Sequence, residues 1–173
     1  SSVSKLGYEL NNIKSLSLNI PSVPGRLELV GIKKNKAKIF VDFAHTPDAL
    51  ENVLKEARQM SRGILHVVFG CGGDRDKKKR PLMGKIACKY ADSIIVTDDN
   101  PRNEKPQTIR SQIIGNSKIM IEIPDRKKAI KYATNNLLTE DILIIAGKGH
   151  EKYQVIKNKF LPFDDVKISK KYL

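Results

Sequence analysis

Residues 64–76, Ile64-Leu65-His66-Val67-Val68-Phe69-Gly70-Cys71-Gly72-Gly73-Asp74-Arg75-Asp76, join a nearly unbroken apolar run to a glycine-rich, charged loop. A strand with one wet face alternates apolar and polar residues. A continuous run such as this one reads as a strand covered on both faces, the habit of parallel sheets. The pattern returns at Ile142-Leu143-Ile144-Ile145-Ala146, again followed at once by a glycine-rich loop, Gly147-Lys148-Gly149-His150-Glu151. Working outward from these two, strand-like runs fall at about 27–33, 37–42, 63–69, 93–97, 118–123 and 141–146.

Helical patterns lie between the strands. Thr46 can cap the first helix, with Pro47 at its first position and Ala49, Leu50, Val53, Leu54, Ala57 and Met60 on one apolar stripe. Others are expected to start near Pro81, near Pro106 and at Asp125, the last turning Ala129, Ile130, Ala133 and Leu137 inward. Residues 153–162 read as a short hairpin, and a terminal helix is expected from Asp164. Strands alternating with helices predict an α/β fold, a three-layer Rossmann-like domain with a mostly parallel sheet of about six strands. Residues 1–22 read as the end of a preceding unit plus linker, closed by the prolines and glycine of Ile20-Pro21-Ser22-Val23-Pro24-Gly25. Residues 23–173 form the domain itself.

Composition narrows the function classes. With 40% hydrophobic and 29% charged residues the chain is an ordinary globular protein and not a disordered one. No apolar run approaches the roughly 18–20 residues that span a bilayer, and the first residues lack a secretory layout. Two cysteines, Cys71 and Cys88, make neither a disulfide framework nor a zinc site, so a reducing cytoplasm fits. The net charge of +13 raises nucleic-acid binding as an alternative. The lysines are scattered, however, and the one dense run is Lys77-Lys78-Lys79-Arg80. No nucleic-acid motif accompanies them, and only five Tyr and five Phe are present to stack bases. Neither a nucleic acid nor a membrane is expected as partner.

Ligands of such sheets bind outside the carboxyl ends of the strands, and four polar segments directly follow predicted strands. They are Asp42-Phe43-Ala44-His45-Thr46-Pro47-Asp48, Gly70 through Asp76, Asp98-Asp99-Asn100-Pro101-Arg102, and Gly147 through Glu151. Gly70, Gly72 and Gly73 permit close approach of backbone to a ligand, or a sharp turn. With Arg75, Lys79 and Arg80 nearby they suggest an anion site. Asp99-Asn100-Pro101-Arg102 reads either as an Asx-Pro turn with a solvated arginine or as a zwitterion reader. In the second reading Arg102 forks onto a carboxylate while the acid and amide take an ammonium. Glu151 can pair with an ammonium. His66 reads as core or near-core. No Ser-His-Asp or Cys-His set and no metal cluster appears, so the segments suggest binding and orientation.

Together the loops resemble those of the C-terminal domain of the Mur ligases that act as UDP-N-acetylmuramoyl-tripeptide synthetases. The matching segments are Val23-Pro24-Gly25-Arg26, Val41 through Asp48, Phe69 through Asp76 with Lys79-Arg80-Pro81-Leu82-Met83, Thr97 through Arg102, and Gly147 through Glu151. Phe43 departs from the family's usual Tyr. The resemblance implies a three-domain enzyme that uses ATP and Mg2+, bound mainly by a central domain whose P-loop this sequence lacks. It also implies that Arg26, Asp42 and His45 reach ATP, and that Arg75, Asp99, Asn100, Pro101, Arg102, Gly147 and Glu151 bind the amino acid. UDP-N-acetylmuramoyl-dipeptide would be held by the missing domains, no catalytic residue is assigned to this fragment, and alone it is not expected to catalyse. Lysine-adding relatives lack arginine at the place of Arg102, which would repel a lysine ammonium but suits the second carboxylate of meso-diaminopimelate. The resemblance therefore implies meso-diaminopimelate, with a lysine-adding ligase as the alternative.

Overall fold

A computed structural model of the protein describes residues 25–173. The expectations for residues 1–22, and for Val23 and Pro24, lie outside the described residues. Six strands form one sheet: β1 (Glu28–Ile32), β2 (Lys38–Asp42), β3 (Leu65–Phe69), β4 (Ser93–Val96), β5 (Met120–Glu122) and β6 (Ile142–Ala146). Their order is β1-β2-β6-β3-β4-β5. Only β1 runs antiparallel to its neighbour; β2, β6, β3, β4 and β5 are mutually parallel. The alternation of apolar runs and helices thus gives the expected mostly parallel sheet.

Every residue of β3 and of β6 is buried, as their continuous apolar runs require. Side chains alternate between the two faces. Leu65, Val67 and Phe69 of β3 join one core with Leu50, Leu54 and Ala57 of α1 (Pro47–Met60), Met83 and Ala87 of α2 (Lys79–Tyr90), and Ile109 and Ile113 of α3 (Pro106–Ile114). Val68, Leu143 and Ile145 join the other, against Ala129, Ile130 and Ala133 of α4 (Arg126–Asn135) and Ile168 of α5 (Asp165–Lys170). Each fully buried Leu or Ile contributes roughly 1.5–3 kcal/mol relative to an exposed one, so the two layers carry the fold.

Local signals hold at most helix ends. Thr46 caps α1 through the Ala49 amide, with Pro47 at the first position. Asp125 caps α4 through the Lys128 amide, and Asp164 caps α5 through the Lys167 amide. The 153–162 hairpin appears as β7 (Tyr153–Ile156) and β8 (Lys159–Pro162). One expectation needs correction. Met60 is 40% exposed, because it is the terminal residue of α1, beyond the buried stripe that ends at Ala57. The second helix starts at Lys79, near Pro81 as expected, with the proline in the first turn where it is tolerated.

The layer topology creates the crevice. β2 and β3 lead into helices packed on one face, while β6, inserted between them, leads toward the hairpin and α5 on the other. Chain segments diverge from neighbouring strand ends there, leaving a gap at the carboxyl edge. Among the described residues no helix is long and apolar enough to cross a membrane.

Candidate functional site

All four polar segments meet at that edge, around an open cavity of about 520 Å³. The segment after β2 contributes Phe43 and His45, that after β3 Gly72, Arg75 and Asp76, that after β4 Asp99, Asn100 and Arg102, and that after β6 Gly147 and Glu151. Pro101 is buried and stands off the lining. Its carbonyl lies where a Cβ on Gly73 would be, so the β3 and β4 loops touch backbone to backbone. Gly147, at φ +117, likewise lets its chain pass against the Asp99 carboxylate.

Charges of both signs line the cavity, with Asp76 next to Arg75. On one wall Asp99 and Glu151 surround Lys148, whose side chain is completely buried. Lys148 Nζ donates to Asn100 Oδ1 at 2.9 Å and to Glu151 Oε2 at 3.0 Å, and lies 3.7 Å from Asp99 Oδ1. Two carboxylates against one ammonium leave one negative charge uncompensated. Arg75, Arg102 and Lys79 also line the cavity. Lys79 is the first residue of α2, a helix with no capping side chain and no acidic residue in its first turn. Cations at a helix N-terminus oppose the macrodipole, and both attract an anion placed there. A ligand with separate ammonium and carboxylate groups matches a lining that offers both carboxylates and cations.

Arg102 is held in the left-handed region at φ +50. The hairpin keeps it there: Arg102 N donates to Val155 O at 3.1 Å, and Lys157 N donates to Arg102 O at 2.7 Å. Its Nη1 donates to Gly73 O at 2.9 Å. Asn100 is more heavily engaged. Its Oδ1 accepts from Lys148 and from the Val155 amide, and its Nδ2 donates to Glu151 Oε2 at 3.0 Å. The amide expected to face a ligand is therefore the joint between the acidic wall and the hairpin.

Arg80 does not join the anion site that its position in the basic run suggested. It is fully buried and forks onto Glu104 at 2.9 and 2.8 Å, while also donating to Gly72 O and Gln112. A buried guanidinium requires such partners, and Glu104 also takes the Asp74 amide, so the pair braces the β3 loop. Arg80 holds the Glu104 carboxyl down at about 2. A depressed folded-state value contributes stability that is present above the ordinary 4.5 and lost as pH falls toward 2. Glu104→Gln should therefore be less stable than the parent at neutral pH, with the gap closing between those two values. Urea titrations of both proteins across this range check it, and a gap independent of pH would contradict it.

Asp98 also turns away from the cavity and pairs with Arg110, which in turn donates to Glu122 at 2.7 Å. Burial pushes the Asp98 carboxyl up. His66 is buried, as expected, against Asp141 at 3.1 Å. Burial likewise pushes the Cys71 thiol up to about 12, which leaves it no nucleophile.

Arg26, Asp42 and His45 fall together in a second cavity of about 460 Å³, beside the first. Phe43 and His45 line both and form the partition. The Phe43 ring lies 4.5 Å from that of His45 and 5.2 Å from that of His150. Asp42 is half engaged in structure, accepting from the Leu27 amide at 2.7 Å and the Ala44 amide at 2.6 Å. Arg26 and His45 are exposed. A guanidinium and an imidazole at an open cleft can hold one end of a polyanion. Among the described residues no three His, Cys, Asp or Glu side chains group as a metal site.

Lys148 and the partition residue Phe43 are site residues to which the sequence pattern assigns no role. The one available signal for Lys148 is its place directly after a fully apolar strand, between two glycines, where no surface helix or edge strand would solvate it.

The family model described as "Mur ligase, glutamate ligase domain" matches residues 25–149. The chain is 49% identical over 176 residues to the UDP-N-acetylmuramoyl-L-alanyl-D-glutamate--2,6-diaminopimelate ligase of Rickettsia felis, covering 99% of this chain and 32% of that protein. It is 54% identical over 146 residues to the ligase of the same name from Mesorhizobium japonicum, covering 84% and 30%. A solved structure of a ligase with that name superposes at TM-score 0.81 and 39% identity, over 99% of this chain and 36% of the other. A bifunctional folylpolyglutamate synthase/dihydrofolate synthase from Yersinia pestis, solved with AMPPNP and a Mn ion, superposes at 0.61 over 75% of this chain and 30% of the other. At 20% identity it shares the fold alone. The chain thus spans about a third of the length of the curated relatives it matches.

Proposed function

The chain belongs to the Mur ligase family through its glutamate ligase domain, and from that premise we propose that it is the amino-acid-binding part of an ATP-dependent ligase. The ligase joins meso-diaminopimelate to UDP-N-acetylmuramoyl-L-alanyl-D-glutamate in peptidoglycan synthesis, in the cytoplasm where its ATP is made. Residues 23–173 form this domain, and residues 1–22 belong to the end of the ATP-binding domain and its linker. The γ-phosphoryl group of ATP passes to the acceptor carboxylate. The diaminopimelate nitrogen then attacks that acyl carbon, the C–N bond forms as the C–O bond to phosphate breaks, and the amine proton is released.

In this reading Arg75, Asp99, Asn100, Pro101, Arg102, Gly147 and Glu151 build the amino-acid site, Pro101 from behind the lining. Arg26, Asp42 and His45 meet ATP from the adjoining cleft. Mg2+ and most of the nucleotide contact belong to the rest of the ligase. The observation that carries the reading is one cavity lined both by the Asp99 and Glu151 carboxylates and by the Arg75 and Arg102 guanidiniums. Diaminopimelate presents an amino-carboxylate at each end, whereas lysine offers a bare ammonium at its far end, which Arg102 repels.

Calorimetric titration of the full-length ligase, loaded with nucleotide and acceptor, tests this directly. We expect meso-diaminopimelate to bind at least about 30-fold more tightly than lysine, the effect of one charged pair of about 2 kcal/mol or more. Equal affinities would remove diaminopimelate as the substrate.

A further inference from the structure

We propose that Lys148 is a positioning residue for the amino-acid substrate, holding Glu151 and Asn100 in place through its buried ammonium. The proposal rests on the reading of the larger cavity as the amino-acid site. Lys148 is completely buried, yet its Nζ is within 3.0 Å of both Asn100 Oδ1 and Glu151 Oε2. Burying an ammonium is unfavourable unless it is paired, and a methionine would fill the same length without that penalty. What methionine cannot do is hold a carboxylate and an amide at fixed angles.

Both partners of Lys148 face the ligand region. Glu151 Oε2 accepts from Lys148 and from Asn100. Its Oε1, like the Asp99 carboxylate, takes no hydrogen bond from the described residues, which leaves these oxygens for a substrate ammonium. Lys148 also cancels one of the two carboxylate charges, so the acids can sit side by side without repelling each other apart. Through Asn100 Oδ1 the same ammonium is linked to the Val155 amide. Val155 O in turn receives the Arg102 amide. One buried lysine thus joins the ammonium-binding wall to the loop that carries the guanidinium.

The test uses the full-length ligase with three variants: Lys148→Met, Glu151→Gln and the double. Lys148→Met should raise KM for the amino acid about 30-fold, the effect of breaking a buried charged pair, while KM for ATP stays within about twofold. If Lys148 acts through Glu151, the double variant loses no more than about threefold beyond Lys148→Met, since residues acting as one unit are not additive. An unchanged amino-acid KM, a parallel rise in both KM values, or losses that multiply in the double would each overturn the proposal. Should Lys148→Met fail to fold, the double removes both charges together. Its amino-acid KM should then match that of Glu151→Gln within about threefold, and a further multiplied loss overturns the proposal. A wild-type enzyme indifferent to diaminopimelate and lysine would defeat the substrate reading instead. The role of Lys148 would then be read with the amino acid that enzyme uses best.

Discussion

Replacing Arg102 by alanine in the full-length ligase should lower kcat/KM for meso-diaminopimelate by about 30-fold or more, as expected for a lost charged hydrogen-bond pair of roughly 2–5 kcal/mol. Turnover of lysine, expected to be poor in the parent, should hold steady or improve slightly as the repulsion disappears. The structure makes this a clean substitution. The hairpin grips Arg102 by its backbone, through Val155 O and the Lys157 amide, and alanine keeps both bonds. Removing the guanidinium frees the Gly73 carbonyl from its 2.9 Å bond and loses a longer one of 3.4 Å to the Asn100 carbonyl, which keeps the Gly73 amide. Arg102→Lys should rescue in part, because an ammonium restores the charge without the fork. The ratio of the two specificity constants is the measurement. Equal losses for both amino acids would mean that Arg102 shapes the β3 and β4 loops and does not read the substrate.

The second large effect lies behind the site. Arg126 and Asp165 are both completely buried and form a two-pronged pair at 2.9 and 2.7 Å. Asp165→Ala strands the guanidinium with only the Ala146 carbonyl, which it reaches at 3.0 Å. Removing one partner of a buried pair costs about 3–5 kcal/mol. In a domain of this size that is roughly 6–20 °C in Tm. Asp165 begins α5, a six-residue helix that otherwise docks through Ile168, Val166 and the following Tyr172, so the C-terminal segment should loosen first. Replacing the pair together, Arg126→Met with Asp165→Leu, should recover most of the loss, since apolar residues of like volume need no desolvation. Calorimetric melting of the three proteins decides. A fall in Tm under about 2 °C for Asp165→Ala would show that the pair is not the tie between α4 and α5.

The fold was legible because its signals are local and repeated. β3 and β6 announce burial on both faces by having no polar alternation, and Thr46, Asp125 and Asp164 mark helix starts by chemistry that acts within three residues. The convergence of four loops was also legible, since a parallel sheet must deliver every strand end to the same edge. The same reasoning could not separate Arg75, which faces the cavity, from Arg80, which is buried five residues later. Both belong to one basic stretch, and the turn of a helix decides which side chain meets Glu104.

The amino-acid sequence by itself determined the α/β class, the strand ends that bear function and the residue types gathered there, because periodicity and capping are short-range properties of the chain. Tertiary structure alone decided what each polar group does. Asn100 became a joint, Lys148 a buried brace, Asp98 a partner of Arg110, and His45 part of a partition between two cavities. The physical reason is that a charge or amide is defined by its nearest partners. Those partners can lie far apart along the chain, as the Lys33 bond to the Thr134 carbonyl across 101 residues illustrates. No local pattern encodes a contact of that span, and only the packed sheet brings its two ends together.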